Sequence, residues 1–126
     1  MNQLLLVVLG GGVGSGARYL LSAWMLERFG PGFPWGTFAV NVVGSFLLGV
    51  VMQLGHAGAS LSLEARLFLS TGLMGGFTTY STFNYETLRL LQAGSLPLAL
   101  GNVGLTLSSC LAAGALGVAL VRWSAG

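Results

Sequence analysis

Four apolar stretches, each about as long as a membrane-spanning helix, occupy almost the whole sequence. A helix that crosses the roughly 30 Å hydrocarbon core of a bilayer needs about 20 apolar residues. Only 6% of the 126 residues are charged, whereas a soluble protein has roughly 25%. We therefore predict an all-α membrane protein in which residues 1–126 form a single four-helix transmembrane domain. The predicted helices lie near residues 4–26, 35–54, 66–91 and 96–121.

Short segments rich in glycine, proline and serine separate the four stretches. Such segments are typical of turns and loops. They lie at residues 29–34, 55–60 and 93–95. Short connections between consecutive helices predict an up-down-up-down topology, with both termini and the 55–60 loop on one side of the membrane.

The arginines are balanced between the two sides of this predicted topology. Arg66 and Arg122 fall on one side, and Arg28 and Arg89 on the other. Membrane orientation normally follows an excess of basic residues in the cytoplasmic loops, so a balanced chain favours dual topology and pairing with an inverted copy. The alternative is a fixed orientation decided by the position of Arg18.

The composition argues against several other functions. A lone Cys110 builds neither a disulfide framework nor a cysteine-based metal site. The scattered arginines do not form a nucleic-acid-binding patch. No carboxylate, lysine or histidine lies at the middle of a predicted span, so a proton relay has no residues to run on. We expect no catalysed reaction.

Small and polar residues recur at helical spacing in three of the stretches. Gly10 with Gly14 and Gly12 with Gly16 are small-xxx-small pairs, which permit close helix contact. Asn41 lies on a small, polar face of the second helix. A similar face of the fourth helix carries Thr106, Ser109 and Cys110. These faces are either ordinary packing seams or parts of a polar pathway, and for Asn41 we favour a functional role.

The third stretch is the most polar. Gly75 and Gly76 are followed by a run of hydroxyl-bearing residues at 78–82, a combination that disfavours a continuous helix. A break within the span frees backbone groups at membrane depth, which is tolerated only where protein, water or an ion satisfies them. We therefore predict a broken helix and an ion site. The alternative is a glycine-hinged kink with the hydroxyls bonded to the preceding turn.

The side chains near this break are amides, hydroxyls and aromatic rings. These groups offer an anion hydrogen-bond donors and the positive edge of a ring without a fixed charge that would trap it. Tyr80 and Phe83 share a helix face by spacing, either beside an ion path or in ordinary packing. Glu86 and Arg89 either pair with each other at the membrane surface or serve the pathway, and spacing alone assigns neither a role.

Three segments of the sequence together resemble the Fluc family of fluoride channels, also called CrcB. They are GGGVGSGARYLL at residues 10–21, WGTFAVNVVGSFLLG at 35–49 and TGLMGGFTTYSTFNYET at 71–87. The resemblance spans essentially the whole chain, and the third segment is the most specific. It implies an antiparallel, dual-topology homodimer in the cell membrane with two antiparallel pores. Fluoride moves passively through them, is preferred over chloride, and thereby leaves the cytoplasm.

The same resemblance implies roles for individual residues. Backbone carbonyls of Gly75 and Thr78 from both subunits hold a structural sodium ion at the dimer interface, and Arg18 lies in a vestibule. Tyr80 stands where the family usually has phenylalanine. The implied fluoride pore comprises Asn41, Thr79, Tyr80, Ser81, Thr82 and Phe83, with a polar track of Thr106 and Ser109 or Cys110.

Two other functions fit a small four-helix membrane protein. A small dual-topology multidrug exporter has the same size and the same antiparallel dimer, but it needs a buried carboxylate. The first acidic residue here is Glu27, next to the membrane interface. A structural or assembly subunit would use the polar segment only to hold helices together.

Overall fold

The computed structural model describes residues 2–56 and 61–125, and every regular element in these ranges is helical. Three of the helices are long and apolar enough to cross a membrane: α1 (Asn2–Phe29), α2 (Trp35–His56) and the last helix, α6 (Leu96–Ala125). The first, second and fourth predicted helices lie within these bounds. Most of the predicted 55–60 loop falls outside the described residues, and its first two residues belong to α2.

The third predicted helix consists of several segments. It begins with α3 (Leu63–Arg66), which Ser62 caps by accepting a hydrogen bond from the Ala65 amide at 3.1 Å. It continues as a π-helix over Leu67–Met74 and ends in the short helix α4 (Gly75–Phe77). After two non-helical residues, α5 (Tyr80–Gln92) completes the stretch. The predicted interruption is therefore present, and no single helix spans residues 66–91.

Glycine in the left-handed backbone region ends two of the helices. Gly30, with φ of 75°, follows α1, and its amide donates to the Leu26 carbonyl at 2.8 Å. Gly94, with φ of 77°, lies two residues after the end of α5, and its amide donates to the Leu91 carbonyl at 3.0 Å. Only glycine adopts this conformation at no steric cost, and it frees the chain to reverse direction. The turns predicted after these helices are thereby confirmed.

The helices pack in a layered order that places the broken stretch beside α1 and α2. α1 runs along the π-helical segment and α2, while α2 also packs along α6. Close approach of the backbones makes these contacts tight, since a Cβ on Gly117 of α6 would collide with the Phe46 carbonyl oxygen of α2. A Cβ on Gly14 of α1 would likewise collide with the Leu73 carbonyl oxygen. Small residues thus allow the close contact expected in a membrane.

The two glycine pairs of α1 differ in what they contact. Gly10 and Gly14 are buried against the third stretch. Gly12 and Gly16 have no side-chain or backbone neighbour within 4 Å of where a Cβ would lie. The first pair therefore packs within the chain, whereas the second leaves a smooth, open strip on the surface of α1.

Candidate functional site

The helix break consists of Thr78 and Thr79, two residues after the Gly75–Gly76 pair. Both have extended backbone, with ψ of 159° at Thr78 and 113° at Thr79. Thr79 also caps α5, because its Oγ1 accepts the amide of Thr82 at 3.2 Å. A threonine at this position stabilises the start of a helix, so the hydroxyl-rich sequence ends one helix and begins the next. The glycine pair itself is helical.

Asn41 of α2 holds the break from the opposite side. Its Nδ2 donates to the Thr79 carbonyl at 3.0 Å, and its Oδ1 accepts the Thr79 amide at 2.8 Å. An asparagine side chain matches a peptide group in geometry and supplies both a donor and an acceptor. Asn41 therefore satisfies the two backbone groups of Thr79, which the interrupted helix leaves without partners.

The break also redirects the donors that would normally pair with two carbonyls. In a continuous helix, the amide of residue i+4 would bond the carbonyl of residue i. The Thr79 amide instead bonds Asn41, and the Thr82 amide instead bonds the Thr79 hydroxyl. The carbonyl oxygens of Gly75 and Thr78 thereby lose their helical donors, while the amide of Thr78 still donates to Met74 at 3.0 Å.

Arg18 reaches the carbonyl that lies between these two. Its Nε donates to the Gly76 carbonyl at 3.0 Å, and the side chain is partly buried. The guanidinium group carries five N–H donors, so this bond leaves the terminal nitrogens for other partners. A positive charge at the end of a helix is also favourable because the last carbonyls point towards it.

α2 approaches the break through a glycine. A Cβ on Gly44 would collide with Cγ2 of Thr78 and lie 3.3 Å from Cδ2 of Phe77. Gly44 lies one helical turn after Asn41, so the same face of α2 supplies the clamp and the space for it. The spacing of polar and small residues on this face, noted in the sequence, therefore reflects contact with the broken helix.

A cavity of about 230 Å³ opens beside the break, between α2, α5 and α6. We refer to it as the break cavity. It contains most of the residues that the sequence assigned to the pore and to the polar track. Its lining consists of Asn41, Ser45, Thr78, Thr79, Tyr80, Phe83, Thr106, Leu107 and Cys110.

Five of the predicted site residues lie outside this lining, and one of them is Gly75, which is helical and exposed. Ser81 and Thr82 are on the first turn of α5, where Thr82 Oγ1 accepts a hydrogen bond from Thr79 Oγ1 at 3.0 Å. Ser109 is half-buried but not in the lining, in contrast to Cys110. Arg18 lies at the Gly76 carbonyl instead. Of the two residues between which the sequence could not choose on α6, Cys110 is the one that faces the break cavity.

Tyr80 and Phe83 contact each other in the lining. Their ring centroids are 5.8 Å apart, with the planes inclined at 52°. Phe83 is buried, whereas Tyr80 is 75% exposed in the single chain. The predicted common face is confirmed, and one ring of the pair extends away from the body of the chain.

A second cavity, of about 460 Å³, lies at the end of α1 and α5, and the loop of residues 30–34 forms part of its lining. Thr37, Glu86 and Arg89 contribute polar groups to its lining. The Oε1 atom of Glu86 is buried and has no hydrogen-bond partner among the described residues. Glu86 therefore lines a cavity between helices of this chain.

Sequence reasoning missed the polar contacts that cross between helices. Asn41 was expected to line a pore, but its bonding of the Thr79 backbone was not foreseen, and neither was the bond from Arg18 to Gly76. Asn102 lies on the small, polar face noted for the fourth helix, but its bond of 2.9 Å with Thr87 was not foreseen. The available signal was an asparagine in an apolar helix, because a buried amide requires partners.

Comparison with known proteins indicates the same family as the three sequence segments. The family profile described as "CrcB-like protein, Camphor Resistance (CrcB)" matches residues 5–118. The chain is 55% identical over 126 residues to a protein of Anaeromyxobacter dehalogenans, covering 100% of both chains. It is 51% identical over 122 residues to a protein of Sorangium cellulosum, covering 97% of this chain and 96% of the relative.

A protein of Geotalea uraniireducens is 43% identical over 122 residues, covering 97% of this chain and 98% of the relative. All three relatives carry the name "fluoride-specific ion channel FluC". The matched region of the profile includes nearly all of the four apolar stretches and the residues that form the break. The chain therefore belongs to the CrcB family.

Proposed function

We propose that this chain forms a fluoride-selective channel that lowers cytoplasmic fluoride by passive electrodiffusion. The observation that carries the proposal is the break cavity, in which amide, hydroxyl and aromatic groups from three helices meet at an interrupted transmembrane segment. The name of the relatives, at 43–55% identity over nearly their full lengths, supports the same ion. No reaction is catalysed, and the driving force is the fluoride gradient together with the membrane potential.

The residues around the break can replace part of the hydration shell of a small anion. Asn41 uses one of its two Nδ2 hydrogens on Thr79 and keeps the other. Thr82 accepts from the Thr79 hydroxyl, which leaves its own proton for a further acceptor. The edges of the Tyr80 and Phe83 rings add partial positive charge. A narrow path with such donors favours fluoride because larger halides cannot be coordinated as closely.

The functional unit in this proposal is an antiparallel homodimer. Irregular backbone at membrane depth is tolerated only when it is covered by protein or lines water. In the single chain, Gly75, Tyr80 and Ser81 are exposed beside the break, so another surface must cover them. An inverted second copy does so without any further protein, and symmetry then gives two antiparallel pores. The open glycine strip of α1 is available for close contact.

A structural sodium ion at this interface fits the residues that are present. The Gly75 and Thr78 carbonyls have lost their helical donors, and carbonyl oxygens are ligands that a hard cation accepts. Two carbonyls from each subunit would surround one ion. The ion would supply positive charge that satisfies backbone groups at membrane depth, and no side-chain carboxylate is needed for that role.

Arg18 is proposed to serve the mouth of the pathway. Its Nε is held by the Gly76 carbonyl, which leaves the terminal nitrogens as donors. A fixed positive group near the entrance raises the local concentration of an anion. Because Arg18 lies outside the lining of the break cavity, it would attract fluoride without holding it inside the narrow part.

The test is an efflux assay with purified protein in liposomes loaded with potassium fluoride or potassium chloride. A potassium ionophore removes the opposing membrane potential, and electrodes record the released anion. We expect rapid fluoride release and hardly any chloride release. Equal flux of both anions would refute the channel assignment. In a second arm, sodium is removed from all buffers and then restored, and reversible loss of fluoride flux is the result that the sodium site predicts.

A further inference from the structure

A continuous chain of hydrogen bonds links α5 to α6 directly behind the break cavity. Thr87 Oγ1 donates to the Phe83 carbonyl at 2.8 Å, and Asn102 Nδ2 donates to Thr87 Oγ1 at 2.9 Å. Thr106 Oγ1 donates to Asn102 Oδ1 at 3.3 Å. Asn102 is 1% exposed and Thr106 is 5% exposed. We call Thr87, Asn102 and Thr106 the α5–α6 strut.

The direction of every bond in the strut follows from the first one. A threonine hydroxyl has one proton, and Thr87 gives it to the Phe83 carbonyl. Thr87 can therefore only accept from Asn102, which turns the Nδ2 of that amide towards α5 and its Oδ1 towards Thr106. Thr106 must then donate its own proton to Asn102. The strut thus runs in one direction: Thr106 donates to Asn102, Asn102 donates to Thr87, and Thr87 donates to the Phe83 carbonyl.

This direction determines what Thr106 offers to the break cavity. Thr106 is in the lining, but its single proton is used on Asn102, so the lone pairs of the hydroxyl remain for the cavity. Anions are held by hydrogen-bond donors and not by lone pairs. Thr106 therefore lies where a fluoride ligand could lie, but it has no free proton to donate to the anion.

The strut instead fixes the wall that carries Phe83. Thr87 holds the carbonyl of the residue whose ring forms part of the lining, and Asn102 ties Thr87 to the opposite helix. Because Asn102 is buried, loss of a partner would leave an unsatisfied amide group there. The distance between Phe83 on α5 and Thr106 on α6 is therefore set by hydrogen bonds in addition to packing.

We propose that Thr87 and Asn102 are positioning residues that set the width of the break cavity at Phe83, and that Thr106 belongs to this strut and is not a fluoride ligand. This inference rests on the proposed function. It concerns selectivity, since a wall that relaxes by a few tenths of an ångström admits larger anions, whereas a tight wall excludes them.

The experiment measures fluoride and chloride efflux from liposomes at equal amounts of dimer, with wild type in the same series. The variants are Thr87→Val, Asn102→Leu, the double variant and Thr106→Val, with Thr87→Ser as the matched control that keeps the hydroxyl. We expect the fluoride-to-chloride ratio to fall by about tenfold or more in Thr87→Val and Asn102→Leu, which corresponds to about 1.4 kcal/mol of discrimination. Thr87→Ser should stay within about twofold of wild type. Thr106→Val leaves the buried Asn102 Oδ1 without its donor, so its ratio should also fall, mainly because chloride flux rises.

The double variant separates positioning from direct contact with the ion. Thr87→Val leaves the Asn102 amide unpaired, and the added Asn102→Leu removes that unpaired group, so the double variant should unfold at a higher temperature than Thr87→Val. Partial unfolding alone would lower both fluxes and leave their ratio unchanged. If Thr87→Val does not elute as a dimer, the fluoride-to-chloride ratio of Asn102→Leu tests the inference.

Three results would overturn the inference. They are an unchanged ratio in Thr87→Val and Asn102→Leu, a ratio in Thr106→Val that falls by about tenfold or more only because fluoride flux is lost, and a double variant less stable than both single variants. If the wild-type protein is selective for fluoride, any of these results would refute the strut inference and leave the proposed function standing. A wild type that releases both anions equally would refute the proposed function and the strut together.

Discussion

Asn41 and Thr79 are joined by two hydrogen bonds, of 2.8 and 3.0 Å, that pair one side-chain amide with both backbone groups of a single residue. The residues are 38 positions apart in the sequence. This contact replaces the helical bonds lost at the break, so the irregular backbone and the side chain opposite it depend on each other.

We predict that Asn41→Leu destabilises the protein by about 1–3 kcal/mol, because it leaves the amide and carbonyl of Thr79 without partners. Thermal unfolding in detergent, followed by tryptophan fluorescence, measures the change. Asn84→Leu is the matched control, since Asn84 is exposed on α5, and it should unfold as wild type does. Equal stability of both variants would show that the clamp contributes little.

Replacement of Phe83 by isoleucine should abolish fluoride flux and leave the dimer intact. The ring is buried in the lining of the break cavity, and isoleucine retains the apolar volume but has no polarised edge for an anion. Efflux and size-exclusion chromatography on the same preparation measure the two properties. Persistent flux would favour the alternative in which the polar segment only holds helices together.

Tyr80→Phe should keep both the fluoride flux and the selectivity within about twofold of wild type. The contact with Phe83 involves the rings, at 5.8 Å between centroids, and does not require the hydroxyl. Tyr80→Ile removes the ring and should lose flux for the reason given for Phe83. A tenfold loss in Tyr80→Phe, or about 1.4 kcal/mol, would instead give the hydroxyl a direct role.

Gly44→Ala should destabilise the fold by about 1–3 kcal/mol, because the added Cβ overlaps Thr78 and crowds Phe77 beside the break. The control is Gly104→Ala, where no atom lies within 4 Å of the new methyl group. Alanine favours the helix more than glycine does, so the control should be neutral or stabilising. The same unfolding assay compares the two variants.

Dual topology predicts that a cysteine near one end of α5 is accessible from both sides of the membrane. Gln92 is exposed at the end of that helix, and Cys110 is the only cysteine of the chain. Gln92→Cys in a Cys110→Ser background should react with an impermeant maleimide to about half of its total in intact cells. Complete labelling, or none, would indicate a single orientation.

The apolar stretches predicted the number and approximate bounds of the helices because about twenty consecutive apolar residues in a membrane form a spanning helix and little else. The break was also predictable, since glycines followed by hydroxyl residues disfavour a continuous helix. Its exact position within residues 75–83 was not predictable. Helix continues through Gly75 and Gly76 and stops only at Thr78, where Asn41 and the cap of α5 supply partners from elsewhere.

The contacts that complete the site could not be derived from one sequence because they join distant positions. Arg18 and Gly76 are 58 residues apart, and only the packing of α1 against the third stretch brings them together. Thr87 and Asn102 are separated by a turn and lie on different helices. Periodicity gives the face of a residue on its own helix, but it does not specify which partner that face meets.

The π-helical segment Leu67–Met74 has a further consequence for how this chain tolerates change. A π-helix holds one more residue per hydrogen-bonded turn than an α-helix. The segment therefore accommodates an extra residue, as an insertion into an α-helix would. A single helical wheel cannot represent the residues on both sides of it. One residue corresponds to about 100° of helical rotation. A one-residue deletion in this segment would therefore let it become a regular α-helix and keep the downstream face bearing Tyr80 and Phe83 towards α2, whereas the same deletion in an α-helical segment would rotate that face.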